Sequence, residues 1–251
     1  MFRHGNVIKE VSLKVKNLPE AIEFYNTILN LTPKVSGDEA VYDLVGSKLI
    51  LKERETAVKE PMGSPGLYHI AFTVDVLGGL NSVLKKLLKH KYTLLGSANH
   101  GYTYAIYTYD PSGNGVEIYW DKPDYTGQLK TSVLPLESIL SWTGEENYKI
   151  SLGHIHLKVD SLEYAESFIT NRLGMDVTYR GYIGALFFSY HGYHHHIGVN
   201  IWETYHLNTV KKPDMEYLGL EYVILEPPDD IDIPRNIYID KYGNKYIIRT
   251  G

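Results

Sequence analysis

The stretch HGYTYAIYTYDPSGNGVE, residues 100–117, has a histidine at its front and a carboxylate at its end. Asp110, Pro111, Gly113 and Gly115 are residues that a tight chain reversal uses, so the stretch reads as a β-hairpin. A hairpin requires neither His100 nor Glu117. The meaning of Glu117 changes beside His69 and His154, which occupy the same position in two copies of an internal repeat. Two neutral imidazoles and one carboxylate can cap one face of an octahedral metal ion and leave the other positions open. That donor set belongs to non-haem Fe(II) oxygenase chemistry, in which substrate and dioxygen share the open positions. A closed structural zinc site needs a fourth protein ligand, and none is evident in the pattern.

The elements that must position these residues repeat along the chain. KEVSLKVKNLPEAIEFYNTILNL (9–31) and GHIHLKVDSLEYAESFITNRLGM (153–175) each read as an alternating strand, a polar turn and an amphipathic helix. Ala21, Phe24 and Leu29 match Ala165, Phe168 and Leu173. A third copy begins at YHIAFTVDVLGGLNSVLKKLLKH (68–90), and shorter β-like runs follow each helix. The fourth copy is shortened. LGLEYVILEP and NIYIDKYGNKYIIRT resemble a first strand and a last hairpin, but PDDIDIP between them is too short and proline-bounded for a helix. The expected class is therefore α+β, with four βαβββ modules, the fourth degenerate, forming curved mixed sheets. Two domains are expected: modules one and two form an N-terminal domain, residues 1–124, a linker with a short helix spans 125–148, and modules three and four form a C-terminal domain, 149–251.

Eleven histidines are present, and their repeat positions separate them. First strands align His69 with His154, and Glu10 and Glu221 stand there in the other copies. Last strands align Glu117 with Asn200. Period-two geometry puts His154 with His156 on one face, and His194 and His196 with Asn200 on another. His4, His90, His191 and His206 read as ordinary structural histidines; His90 follows LKKLLK, where a cation suits a helix end.

Composition narrows the alternatives. The 251 residues are 43% hydrophobic, with net charge −5 and no cysteine. Disulfides, thiolate zinc sites and cysteine nucleophiles are excluded. Without a long basic run, neither nucleic acid nor a membrane is an expected partner. With no apolar leader and no long apolar run, a cytoplasmic location is expected. Oligomeric state, including a homo-oligomer, is left open. The 22 tyrosines suit β-structure and aromatic-lined pockets.

The repeated module resembles the vicinal oxygen chelate superfamily, which includes glyoxalase I, bleomycin-resistance proteins and extradiol ring-cleaving dioxygenases. The 100–117 stretch is similar to the extradiol signature: His100, five residues, Ile106-Tyr107, two residues, Asp110-Pro111-Ser112-Gly113, three residues, Glu117. Ala98 departs from that pattern. GLYHIAF, LGHIHLKV and YHHHIGVNIW resemble the two-domain catechol 2,3-dioxygenase group of Gram-positive bacteria. The resemblance implies His69, Glu117 and His154 as ligands of Fe(II), with Mn(II) as the alternative, and a small aromatic diol with O2 as substrates. It implies His196 as acid/base, with His195 the rival, and His100 and Tyr107 as hydrogen-bonding partners of substrate. His156 and Asn200 are expected substrate contacts. Tyr104 stands where that group often has an acidic residue. Two other activities share the fold: a glyoxalase-like lyase or isomerase, which typically takes one carboxylate from each paired module, and a non-catalytic binding protein, which lacks the triad. For the triad to form, modules two and three must meet across the linker, bringing His69 and His154 within about 6 Å to share one ion.

Overall fold

The computed structural model describes residues 7–123, 129–207 and 209–249. His4 and residues 125–128 of the linker lie outside them. Module one comprises β1 (Ile8–Val15), α1 (Leu18–Leu29), β2 (Lys34–Ser36), β3 (Glu39–Leu44) and β4 (Ser47–Glu53). Module two comprises β5 (Gly66–Val74), α2 (Leu77–Lys89), β6 (Leu94–Asn99), β7 (Thr103–Tyr109) and β8 (Gly115–Asp121). Between modules two and three lie β9 (Ser132–Val133) and the short helix α3 (Leu136–Ser141). Module three is β10 (Ile150–Lys158), α4 (Leu162–Leu173), β11 (Asp176–Tyr179), β12 (Ala185–Ser189) and β13 (Ile197–Asn200). Module four retains β14 (Gly219–Leu225), β15 (Ile237–Ile239) and β16 (Lys245–Ile248), with no helix among its described residues.

Local chemistry explains the helices. Asn17 caps α1 by accepting from the Glu20 amide, and Ser161 does the same for α4 through Tyr164. Each such cap stabilises a helix end by about 1 kcal/mol. Asn30 and Gly174 end these helices in the left-handed conformation, which asparagine and glycine enter at least cost. The inward stripe of α1, Ala21, Phe24, Tyr25, Ile28 and Leu29, is fully buried. Burial of a Phe or Ile side chain contributes about 2 kcal/mol. The buried apolar core runs continuously through both halves of the chain.

The modules pair across the chain. The larger sheet runs β11-β12-β13-β10-β5-β8-β7-β6-β9 and joins module three to module two. The smaller runs β15-β16-β14-β1-β4-β3-β2 and joins module four to module one. In the larger sheet β5 and β10 are antiparallel at the centre, with Ile70 opposite Ile155 and His69 opposite His156. β8 lies parallel to β5, and β13 lies parallel to β10. A pseudo-twofold axis through the Ile70–Ile155 pair therefore relates His69 to His154. Among the described residues, no helix is long and apolar enough to cross a membrane.

Candidate metal centre

His69 on β5, Glu117 on β8 and His154 on β10 converge on one face of the larger sheet. Their relation follows from register: Ala71 pairs with Glu117 on one side and with His154 on the other. His69 Nε2 lies 2.9 Å from Glu117 Oε2. His154 Nε2 lies 3.3 Å from the same oxygen and 3.3 Å from His69 Nε2. All three side chains are buried. Metal–ligand bonds of about 2.1 Å place neighbouring ligands about 3.0 Å apart in an octahedron and about 3.4 Å apart in a tetrahedron. The donor atoms thus fit one divalent ion.

Electrostatics favours the ligand forms. Burial pushes the His154 imidazole down to about 4, against the opposing attraction of Glu117, so the ring stays neutral. Burial would raise Glu117, but the adjacent His154 and His69 rings outweigh it and hold the carboxyl well below its usual range. Neutral imidazoles and an ionised carboxylate are what a divalent ion requires.

Beside the triad is a cavity of about 350 Å³ walled by Tyr68, Tyr107, Tyr182, Phe187 and Trp202, with Leu95, Ala98 and Val116 adding apolar surface. His100, His156, His194 and His195 also line it. Tyr107, directly across the β7–β8 ladder from Glu117, has its hydroxyl 2.6 Å from His100 Nε2. His100 Nδ1 is 2.8 Å from Thr131 Oγ1, which ties the hairpin to the segment after module two. Burial lowers the His100 imidazole and raises the Tyr107 phenol well above its ordinary value.

His156 is fully buried and lines the same cavity. Burial holds its imidazole well below the usual value, and a backbone hydrogen bond at Val199 favours the protonated ring. Its Nε2 has no hydrogen-bond partner among the described residues, so the bond at Val199 falls to Nδ1, which donates. The Nε2 lone pair is left for a ligand.

Two of the expected residues stand away from the described cavity lining. His196 does not line the described cavity; its Nδ1 accepts from the Tyr190 amide at 3.3 Å, and its ring packs near Tyr190 and Tyr193. His195 stands there instead, its ring 4.1 Å from that of His154. Strand parity does not carry back from β13, which begins only at Ile197; residues 193–196 before it are irregular, with bends at His194 and His196, and alternation does not hold there. Asn200 also lies outside the described lining, and its Oδ1 accepts from the Trp202 amide at 3.3 Å. Register makes Gly198, opposite His156, the counterpart of Glu117, opposite Ala71. A Cβ at Gly198 would lie 3.0 Å from His156 Nδ1. The imidazole of His156 therefore occupies the space beside the position where a second carboxylate would be attached.

Sequence reasoning overlooked Asp121 and treated His194 only as a face-sharing residue. The available signal was alternation: Glu117, Tyr119 and Asp121 share one face of β8.

Comparisons with known proteins agree with this picture. The family model described as Glyoxalase/Bleomycin resistance protein/Dioxygenase superfamily matches residues 7–118. A catechol-2,3-dioxygenase of Bacillus subtilis (strain 168) is 35% identical over 246 residues, covering 89% of this chain and 84% of the relative. A solved structure from Bacillus subtilis subsp. subtilis str. 168, whose dioxygenase assignment is provisional, aligns with TM-score 0.65 at 14% identity, over 97% of this chain and 84% of that one. A point mutant of maize (Zea mays) glyoxalase I aligns with TM-score 0.62 at 13% identity, over 97% and 93% of the two chains. At those identities the structures speak for the fold alone. Sequence identity over most of both chains, the four-module fold and the buried triad place this chain in the glyoxalase/bleomycin resistance/dioxygenase superfamily.

Proposed function

We propose that the protein is an extradiol ring-cleaving dioxygenase acting on a catechol-type aromatic diol with O2, using Fe(II), or Mn(II) as the alternative ion. The observation that carries this reading is the buried His69–Glu117–His154 face opening onto an aromatic cavity, with no second carboxylate at Gly198. Paired-carboxylate chemistry of the glyoxalase type lacks its second acid at that position. The name of the Bacillus subtilis relative supports the same choice. His69, Glu117 and His154 would hold the Fe(II), which when bound would supply a Lewis-acid site for the two vicinal oxygens and a route for electrons from the diol to dioxygen.

The chain's own groups then divide the work. The aromatic walls exclude water and hold the ring by stacking. His156 Nε2 accepts a hydrogen bond from a substrate hydroxyl. His195, beside His154, takes the hydroxyl proton and returns it to the ring-opened product. Tyr107 and His100 act as a connected donor pair at the opposite wall. The test is anaerobic reconstitution with Fe(II), followed by a catechol panel and air. Oxygen uptake with a yellow ring-opened product is expected; metal-loaded protein that consumes no oxygen with any member would end the proposal.

A further inference from the structure

The cavity histidine His195 is the end of a hydrogen-bonded chain that the triad does not use. His195 Nδ1 lies 2.8 Å from His194 Nδ1. His194 Nε2 lies 3.1 Å from Asp121 Oδ1, with both side chains only about one-tenth exposed. The His194 ring is stacked on Tyr102 at 4.4 Å, and Tyr193 packs 3.9 Å from it. Tyr193 also donates from its hydroxyl to Asp121 Oδ2 at 3.1 Å and meets Tyr119 at 2.8 Å. Asp121 is thereby held by partners on both of its oxygens.

The order of hydrogens along this chain follows from what each group can do. A carboxylate only accepts, so a neutral ring at His194 carries its hydrogen on Nε2 and points it at Asp121. His194 Nδ1 is then a lone pair. A bond of 2.8 Å to it requires a donor, so His195 carries its hydrogen on Nδ1. The remaining ring nitrogen of His195, Nε2, is left unprotonated in a residue that lines the cavity.

We propose that Asp121, acting through His194, is a positioning residue that fixes His195 in the tautomer whose free Nε2 can accept a substrate hydrogen. This rests on the dioxygenase reading for its purpose and on geometry alone for the tautomer. Neither Asp121 nor His194 is a catalytic residue; each acts through His195.

The test is long-range proton–nitrogen NMR on full-length, histidine-labelled protein loaded with diamagnetic Zn(II) at pH 8, with His195 assigned by the signals lost in His195→Gln. The expected result is hydrogen on Nδ1 and a bare Nε2 at His195. Hydrogen on Nε2 of His195 overturns the proposal. In Asp121→Asn, the amide oxygen faces Tyr193 and the amide NH2 donates to His194 Nε2. His194 then carries its hydrogen on Nδ1 and His195 on Nε2. With Fe(II) and catechol, that variant should lose about 100-fold in kcat while KM stays within threefold and metal content is unchanged. An Asp121→Asn protein that keeps both tautomer and kcat also overturns the proposal. If that variant does not fold, the parent spectrum alone decides. A parent with the expected tautomer and no turnover of any catechol upholds the relay and defeats the dioxygenase reading.

Discussion

The two sheets share one plan and do opposite things with it. Each has a central antiparallel pair, β5 with β10 or β1 with β14, flanked by parallel strands. Where the larger sheet carries His69 and His154, the smaller carries Glu10 and Glu221. Where Glu117 pairs with Ala71, Ile50 pairs with Ser12. The smaller sheet satisfies its carboxylates with groups of its own. Glu10 accepts from the Tyr222 hydroxyl at 2.8 Å, and Glu221 accepts from Ser12 at 2.7 Å. Lys52 and Arg54 approach Glu221 at 3.6 and 3.4 Å. Cations anchored by their own side chains stand where the larger sheet leaves donor atoms converging on a common point. One face is closed by salt bridges, and the other is arranged to recruit an ion and a ligand.

The largest effect should come from exchanging the acid on each face. Glu117→Gln removes the only anionic ligand of the triad, and its affinity for Co(II) or Fe(II) should fall by roughly 100-fold or more. Glu221→Gln, the control on the other sheet, should bind metal like the parent. Metal content after gel filtration separates them, and a Glu117→Gln protein that retains stoichiometric metal would remove the distinction between the faces.

A smaller loss tests which histidine works inside the larger sheet. His195→Gln should reduce kcat on a reactive catechol by roughly 100-fold or more, the usual scale for losing an acid–base group. His196→Gln should stay within about tenfold, because that ring faces Tyr190 and Tyr193 and not the cavity. Steady-state kinetics with matched metal content decides, and the reverse ranking would restore the reading from strand parity.

That pair also marks where the sequence was legible. The modules, the degenerate fourth copy and the convergence of His69, His154 and Glu117 followed from repeat alignment and alternation, which describe strands well. Alternation carries no information through the irregular residues before Ile197, so three consecutive histidines could not be aimed from sequence. The matching of GVE (115–117) to GVN (198–200) was misleading for a related reason. Ladder register, which depends on tertiary pairing, sets Glu117 against Gly198 and displaces the alignment by two residues. The pairing of module two with three and of one with four is likewise a long-range choice. No local pattern encodes it.

Acid should distinguish the faces in the metal-free protein. Burial lowers the His154 imidazole to about 4, and His156 and His195 are displaced in the same direction. In the unfolded chain a histidine takes up its proton near pH ~6.5. Between those values the unfolded state binds protons that the folded state refuses, so stability falls as pH drops from about 6.5 towards 4. For His154 alone the full window corresponds to about 3 kcal/mol. Glu117 is held down, so its own contribution persists until the pH falls below the ordinary carboxylate range. Urea midpoints measured in EDTA at pH 7 and pH 5 should therefore fall, and by less in His154→Asn. A midpoint that does not move would mean that the rings accept protons without cost.

The smallest effect belongs to the salt-bridged face. The side chains of Lys52, Arg54 and Glu221 are about one-fifth to one-quarter exposed, so solvent screens their attraction. Arg54 also pairs with Asp38 at 3.0 Å and with Glu216 at 3.5 Å, so removing one carboxylate leaves it partnered. Glu221→Gln keeps an oxygen to accept from Ser12 and should cost no more than about 1 kcal/mol, or a few degrees in Tm. The loss should shrink further in about 0.5 M salt, since screening already weakens what the substitution removes. A loss of several kcal/mol that resists salt would show that this face is locked by a tightly desolvated charge, and would make its closure a condition of folding for the whole chain.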